Sequence, residues 1–201
     1  MNTIQVKICG IRRLDSAFAA INAGADFLGF NFVPSSKRFA SPAEALQITK
    51  KIKGKVKLVG VFQNATITEI NKIADLLQLD FVQLHGKENP EFVQKIKTNV
   101  IKTFTSEEAS IDKINEYKIS YVLLDRNTQG KGKKFPIGKA QKMSSEFPTI
   151  LAGGLTVRNV TKLIKAVRPF GVDVAGGIET NGIEDVTKIK EFIQTVKGVR
   201  I

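Results

Sequence analysis

The chain is short of several things that would assign it quickly. In 201 residues it has one cysteine, Cys9, and one histidine, His85. A single cysteine excludes an internal disulfide and fits a reducing cytosol. One histidine, with no cysteine or carboxylate at ligand spacing around it, argues against a metal centre. No apolar run approaches the ~18 residues that cross a bilayer. The start, MNTIQVKICGIRR, lacks the basic-then-apolar pattern of an export signal. Linkers and low-complexity tracts are also missing, so one domain over 1–201 is expected. The expectation is a soluble, cytoplasmic protein with no metal, no cofactor and no membrane contact.

Acidic residues are scarce as well: 19 Asp and Glu stand against 31 Lys and Arg, for a net charge of +12. Such an excess suits either nucleic acid or a small anionic substrate. The lysines stand singly or in twos and threes on expected helix faces, as at Lys50, Lys51 and Lys53. No basic block carries interleaved aromatics. Solvated helix faces and a small anion are therefore read here, with no nucleic acid; a basic nucleic-acid-binding domain is the alternative from another class.

What is present is alternation of apolar strands with amphipathic helices to the end of the chain. Strands are expected at Ile4–Cys9, Ala25–Phe32, Lys57–Phe62, Asp80–Leu84, Val100–Thr105 and Tyr121–Asp125, and before each of two glycine pairs. Between them, helices are expected from an Asp15-type cap to Ala23, from Ser41-Pro42, over Thr66–Leu77, after Asn89-Pro90, near Ile111–Glu116 and up to Phe147, with a last one reaching about Val196. Eight such units in this length describe an α/β fold, a compact (β/α)8 barrel with a short helix after strand 5. An open doubly wound sheet competes, but its G-x-G-x-x-G loop after strand 1 is absent.

The stretch Thr149–Asn181 holds the two glycine pairs, Gly153-Gly154 and Gly176-Gly177. Each ends a short apolar strand and is expected to lead into a helix. Backbone N–H groups at such turns, beside helix N-termini, make a phosphate cradle. In this fold the loops after strands 7 and 8 are where one is found. Plain tight turns are the other reading.

Side chains alternate along a strand. With Val6 and Ile8 toward the helices, Lys7 and Cys9 face the barrel interior. The same parity turns Phe81, Gln83 and His85 inward on strand 4, Tyr121, Leu123 and Asp125 on strand 6, and Asp173 on strand 8. A thiol, an imidazole, two carboxylates and a lysine then converge beside the cradle. Each has a plainer alternative: Cys9 as a small buried hydrophobe, His85 as a structural residue, Asp125 as a loop cap, and Lys7–Asp173 as a neutralising ion pair. Lys7 is expected to favour the Cys9 thiolate over its usual pKa of ~8.5. Arg38 has the fork that suits a carboxylate. The loop Gly130-Lys131-Gly132-Lys133-Lys134-Phe135 lacks nucleotide-loop spacing and reads as a basic lid.

Taken in order, Val6-Lys-Ile-Cys-Gly-Ile11, Gly24-Ala-Asp-Phe-Leu-Gly-Phe30, Ser36-Lys-Arg-Phe39, Val82-Gln-Leu-His-Gly86, Leu124-Asp125, Leu151-Ala-Gly-Gly-Leu155 and Gly171-Val-Asp-Val174 resemble the phosphoribosylanthranilate isomerases, barrel enzymes of tryptophan biosynthesis. The resemblance spans essentially the whole chain. It implies an Amadori rearrangement of N-(5-phosphoribosyl)anthranilate without a cofactor. Cys9 would be the general base and Asp125 the general acid. Arg38 would hold the anthranilate carboxylate. Amides around Gly153, Gly154, Gly176 and Gly177 would hold the phosphate, with Gln83, His85 and Asp173 lining the rest of the substrate site. A monomer or homodimer is expected. The chain departs from the family in two loops: Ala175 and Gly176 stand where serines are usual, and Lys131 and Lys134 where threonines are. The histidine-pathway aminoaldose isomerase is the neighbouring alternative; it resembles this family but has an aspartate where Cys9 stands.

Overall fold

Capping chemistry in the sequence starts most of the helices. Ser41 and Pro42 open α2 (Pro42–Ile52) with a complete capping box to Glu44. Thr66 caps α3 (Ile67–Leu77), Asn89 the single-turn α4 (Pro90–Val93), Ser110 α5 (Ile111–Asn115) and Asp185 α8 (Val186–Lys197). The first helix, α1 (Leu14–Ala23), differs from expectation. Arg13 holds its cap position with no side-chain bond, and Asp15 lies inside the first turn, paired with the Arg13 guanidinium and the Ser16 amide. The remaining helices are α6 (Ile137–Glu146) and α7 (Val157–Val167). In α7 the buried positions Val160, Ile164 and Val167 fall on one stripe. Each such side chain is worth roughly 1.5–3 kcal/mol on burial.

The structure, a computed structural model, describes residues 3–105, 107–126 and 136–200. Strands β1 (Gln5–Cys9), β2 (Phe27–Asn31), β3 (Lys57–Phe62), β4 (Phe81–Leu84), β5 (Asn99–Thr105), β6 (Tyr121–Asp125), β7 (Thr149–Ala152) and β8 (Gly171–Val174) close into one parallel barrel in sequence order. β1 pairs with β2 on one side and β8 on the other. The expected (β/α)8 barrel is therefore the architecture found. The Gly130–Phe135 segment expected to form a lid lies outside the described residues.

The barrel interior is filled in layers taken alternately from even and odd strands. At the N-terminal end of the strands, Phe27, Phe81, Tyr121 and Phe170 form an aromatic layer, with Tyr121 and Phe170 stacked at 4.7 Å and Phe27 and Phe81 edge to face at 5.7 Å. Val59, Ile101 and Ile150 pack above it, and Lys7 takes the place that β1 contributes. By register, Gly29, Gln83, Leu123 and Asp173 come next, then Cys9, Val61, Thr103 and Ala152. Polarity thus rises from an aromatic floor to a mouth carrying His85 and Asp125.

One expected element is different. Gly176-Gly177 does not lead straight into a helix. Gly176–Ile178 forms one 3-10 turn, followed by a small antiparallel hairpin, β9 (Glu179–Thr180) and β10 (Ile183–Glu184), before α8 begins. Asn181 and Gly182 supply the left-handed turn residues at its tip, with φ of 52° and 77°.

Candidate active site

Lys7 is fully buried, and its Nζ donates to Asp173 Oδ1 at 2.9 Å across the β1–β8 pairing. Gly29 makes this possible. A Cβ there would lie 2.9 Å from Cys9 Sγ and 3.2 Å from Lys7 Nζ, so the missing side chain is the space into which the ammonium rises. Burial works against the Lys7 charge, but Asp173 and Cys9 together outweigh it and hold the ammonium above its ordinary value. For Cys9 the balance is opposite. Burial pushes the thiol up, and the nearby Lys7 only partly offsets this, with Asp173 adding to the rise. The expectation that Lys7 would tip Cys9 toward thiolate is thus corrected: desolvation wins over one cation already shared with a carboxylate.

Asp125 ends β6 opposite this group. Burial, reinforced by the Asp173 carboxylate and only partly relieved by Arg126, raises its pKa to about 6. Its Oδ1 is buried without a hydrogen-bond partner, while Oδ2 lies 3.6 Å from His85 Nε2. Burial lowers the His85 pKa, so this imidazole is neutral at pH 7 and the contact is not an ion pair. Gln83 Nε2 stands 3.5 Å from His85 Nδ1 and 3.4 Å from Thr103 Oγ1. The Gln83 amide thus borders one edge of the imidazole and Asp125 the other.

The strand ends add main-chain donors. Gly153 and Gly154, at φ 89° and 67°, turn the chain from β7 toward α7. Thr156 and Asn159 close a capping box at that helix start. Ala175, Gly176 and Gly177 lie beside them at the start of the 3-10 turn. All of these glycines line one cavity of about 470 Å3, together with Cys9, Arg38, Gln83, His85, Asp125 and Asp173. A thiol, an elevated carboxyl and two glycine turns thus face one volume. Such an arrangement can bind an anion at one end and move protons at the other.

Sequence reasoning singled out Cys9, Arg38, Gln83, His85, Asp125, Asp173 and the four glycines, all of which line this cavity, and missed several residues that support them. Glu179 takes Arg38 in a two-pronged pair; nothing in Gly-Gly-Ile-Glu marked it. Lys102 and Glu88, both buried, join at 3.1 Å just behind the β4 end, and Lys102 also donates to the Leu84 and Gly86 carbonyls that flank His85. Gly29 carried a usable signal: a glycine inside an apolar strand implies close approach of another group. The other end of the barrel holds a larger cavity, about 650 Å3, below the aromatic layer. The carboxylates there are committed to structure. Asp26 accepts from Val6 N and Lys197, and Asp80 from Leu58 N and Lys57.

Residues 6–195 match the family model described as N-(5'phosphoribosyl)anthranilate (PRA) isomerase. An N-(5'-phosphoribosyl)anthranilate isomerase of Pelobacter propionicus is 39% identical, covering 98% of this chain and 97% of its own. The crystal structure of the Thermotoga maritima phosphoribosyl anthranilate isomerase superposes with a TM-score of 0.87 at 37% identity, over 98% of this chain and all of that one. A phosphoribosyl anthranilate isomerase in complex with reduced 1-(o-carboxyphenylamino)-1-deoxyribulose 5-phosphate superposes at 0.85, with 36% identity over 98% and 100% of the two chains. On the full-length match and the shared barrel, the chain belongs to the N-(5'-phosphoribosyl)anthranilate isomerase family.

Proposed function

We propose that the residues around this cavity carry out the family's reaction, the Amadori rearrangement of N-(5-phosphoribosyl)anthranilate to 1-(2-carboxyphenylamino)-1-deoxyribulose 5-phosphate in tryptophan biosynthesis. The phosphate sits against the amides of Gly153, Gly154, Gly176 and Gly177, at the starts of α7 and the 3-10 turn. The anthranilate carboxylate meets Arg38, and Gln83, His85 and Asp173 border the sugar.

Asp125 gives its proton to the ring oxygen as the nitrogen lone pair opens the ribose to an iminium. Cys9 thiolate then takes the C2 proton, and the C–H electrons pass to C1–C2, neutralising nitrogen in an enaminol. Protonation at C1 and loss of the 2-hydroxyl proton give the ketone. A proton passing from Cys9 to Asp125 through solvent resets both groups. The iminium is a cation formed beside Cys9, and it favours the thiolate just when the base is needed. Lys7 and Asp173 fix the polarity under the thiol, and neutral His85 donates to Asp125 once it is charged.

The observation that carries this reading is the Asp125 carboxyl held up to about 6 in the same cavity as Cys9. A carboxylic acid still partly protonated near neutrality is what ring opening requires. The test is turnover of N-(5-phosphoribosyl)anthranilate by the purified protein and by Cys9→Ala and Asp125→Ala variants. Activity in the parent and its loss in both variants supports the assignment; full activity in both variants ends it. A dimeric form is described for the Thermotoga maritima relative. Sedimentation decides between monomer and homodimer for this chain.

A further inference from the structure

Arg38 is held more closely than a substrate-facing loop arginine needs to be. Its Nε donates to Glu179 Oε1 at 2.5 Å and its Nη2 to Oε2 at 2.9 Å. The Glu179 side chain is 6% exposed and that of Arg38 21%, so the pair stands largely out of water. Two glycines sleeve the arginine. At Gly10, with φ 85°, a Cβ would lie 2.6 Å from Arg38 Cδ, and at Gly176 a Cβ would lie 3.2 Å from Nη2. The two loops that bring the pair together are tied as well. Arg12 donates to the Lys37 carbonyl at 3.1 Å and the Gly182 carbonyl at 2.7 Å. Lys188 Nζ holds the Glu179 carbonyl at 2.9 Å.

A guanidinium offers two edges to a carboxylate, one through Nε and Nη2 and one through its two terminal nitrogens. Glu179 occupies the first. Arg38 lines the cavity and Glu179 does not. We propose that Glu179 is a positioning residue that sets substrate selectivity: held on the Nε–Nη2 edge from outside the cavity, the guanidinium presents its terminal edge inward and admits one planar aromatic carboxylate. This rests on the reading above in which Arg38 meets the substrate's carboxylate. Glu179 also spares the guanidinium from standing as an unpaired, largely buried cation when no substrate carboxylate is present.

The test compares N-(5-phosphoribosyl)anthranilate with N-(5-phosphoribosyl)aniline, the same molecule without its carboxylate. Glu179→Ala raises KM for the anthranilate compound about tenfold and changes kcat less than about threefold, while kcat/KM for the aniline compound stays put. Glu179→Gln keeps the shape and an acceptor for Nε, so it recovers part of the loss. Glu179→Gln is also the variant to read if the alanine protein does not fold. Equal losses on both substrates would mean a merely structural role and overturn this inference alone. A parent protein that turns over neither substrate would overturn the isomerase reading, and this inference with it.

Discussion

Gly153-Gly154 and Gly176-Gly177 follow adjacent strands, read alike in the sequence and border one cavity. They are glycine for different reasons. The first pair occupies left-handed backbone, at φ 89° and 67°; the second does not. A Cβ on Gly153 would collide with Asp125 Oδ1 and the Arg126 backbone, and one on Gly154 with the end of the Arg126 side chain. A Cβ on Gly177 would run into the Leu155 carbonyl, whereas one on Gly176 meets only Arg38 Nη2. The β7 pair is therefore a conformational requirement set against the proposed acid. The β8 pair is a packing requirement against backbone at one residue and a close approach to a flexible side chain at the other. Similar spelling has concealed two separate constraints.

The sharpest way to exploit this difference is at the residue the first pair leans on. Asp125→Asn is expected to lower kcat/KM by about 10^3-fold, within the range for a lost general acid. The pH profile distinguishes this from distortion. Asp125 titrates at about 6, and burial raises Cys9 above its ordinary value. Between those two values the gain in thiolate with rising pH cancels the loss of carboxylic acid, so the parent is flat. Below about 6 Asp125 is already protonated, and each unit of acid removes thiolate tenfold. The Asn variant has no acid to lose, so its residual rate keeps climbing through pH 6 and 7. A flat profile in the variant would contradict the pairing of these two groups. Stability moves the other way. A carboxyl whose folded value is raised contributes stability below its unfolded value and loses it as pH rises through about 6. The Asn variant is thus more stable than the parent by about 1–3 kcal/mol at pH 8 and no more stable below pH 4. Urea melts at the two pH values check this.

Gly153→Ala comes next. Left-handed backbone costs a non-glycine residue about 1–2 kcal/mol, and the new methyl also presses on Asp125. The expected result is a loss of about 10^2-fold in kcat from a misplaced acid, together with a lowered Tm. Unchanged kcat in a folded Gly153→Ala protein would show that the β7 pair serves only the turn.

Much of this was legible before any coordinates, and the reasons differ by residue. Lys57–Phe62 and Tyr121–Asp125 match the strands found because turn residues bracket them and their apolar runs are unbroken. Period-two alternation then carried Cys9, His85, Asp125 and Asp173 to one mouth, since a parallel barrel admits only one interior. Local spelling failed where a partner distant in sequence decides the outcome. Glu179 belongs to Arg38 across 141 positions, and Asp185 rather than Gly177 starts the last helix, because a hairpin intervenes. The direction of the Cys9 shift failed for an energetic reason: Lys7 is visible as a neighbour, but neither the depth of burial nor the sharing of its charge with Asp173 can be read from VKIC.

The second pair predicts the two smaller effects, and they should separate. Gly177 has ordinary φ, but its Cβ would overlap the Leu155 carbonyl, which is backbone and has little room to move. Gly177→Ala is expected to cost about 1–3 kcal/mol of stability, the usual penalty for overpacking, with kcat changed by less than the Gly153 variant. Gly176→Ala is the mildest of the set. Its Cβ would sit 3.2 Å from Arg38 Nη2, the far end of a flexible side chain, and the backbone there needs no left-handed conformation. The guanidinium has to give a few tenths of an ångström, against the hold of Glu179. The Tm should stay within about 2 °C, and KM should rise no more than about threefold, with kcat unchanged. Because Arg38 alone transmits the change, that rise should vanish with the substrate lacking its carboxylate. An equal KM increase on both substrates in Gly176→Ala would instead mean that the methyl disturbs phosphate binding and that Arg38 does not transmit the change.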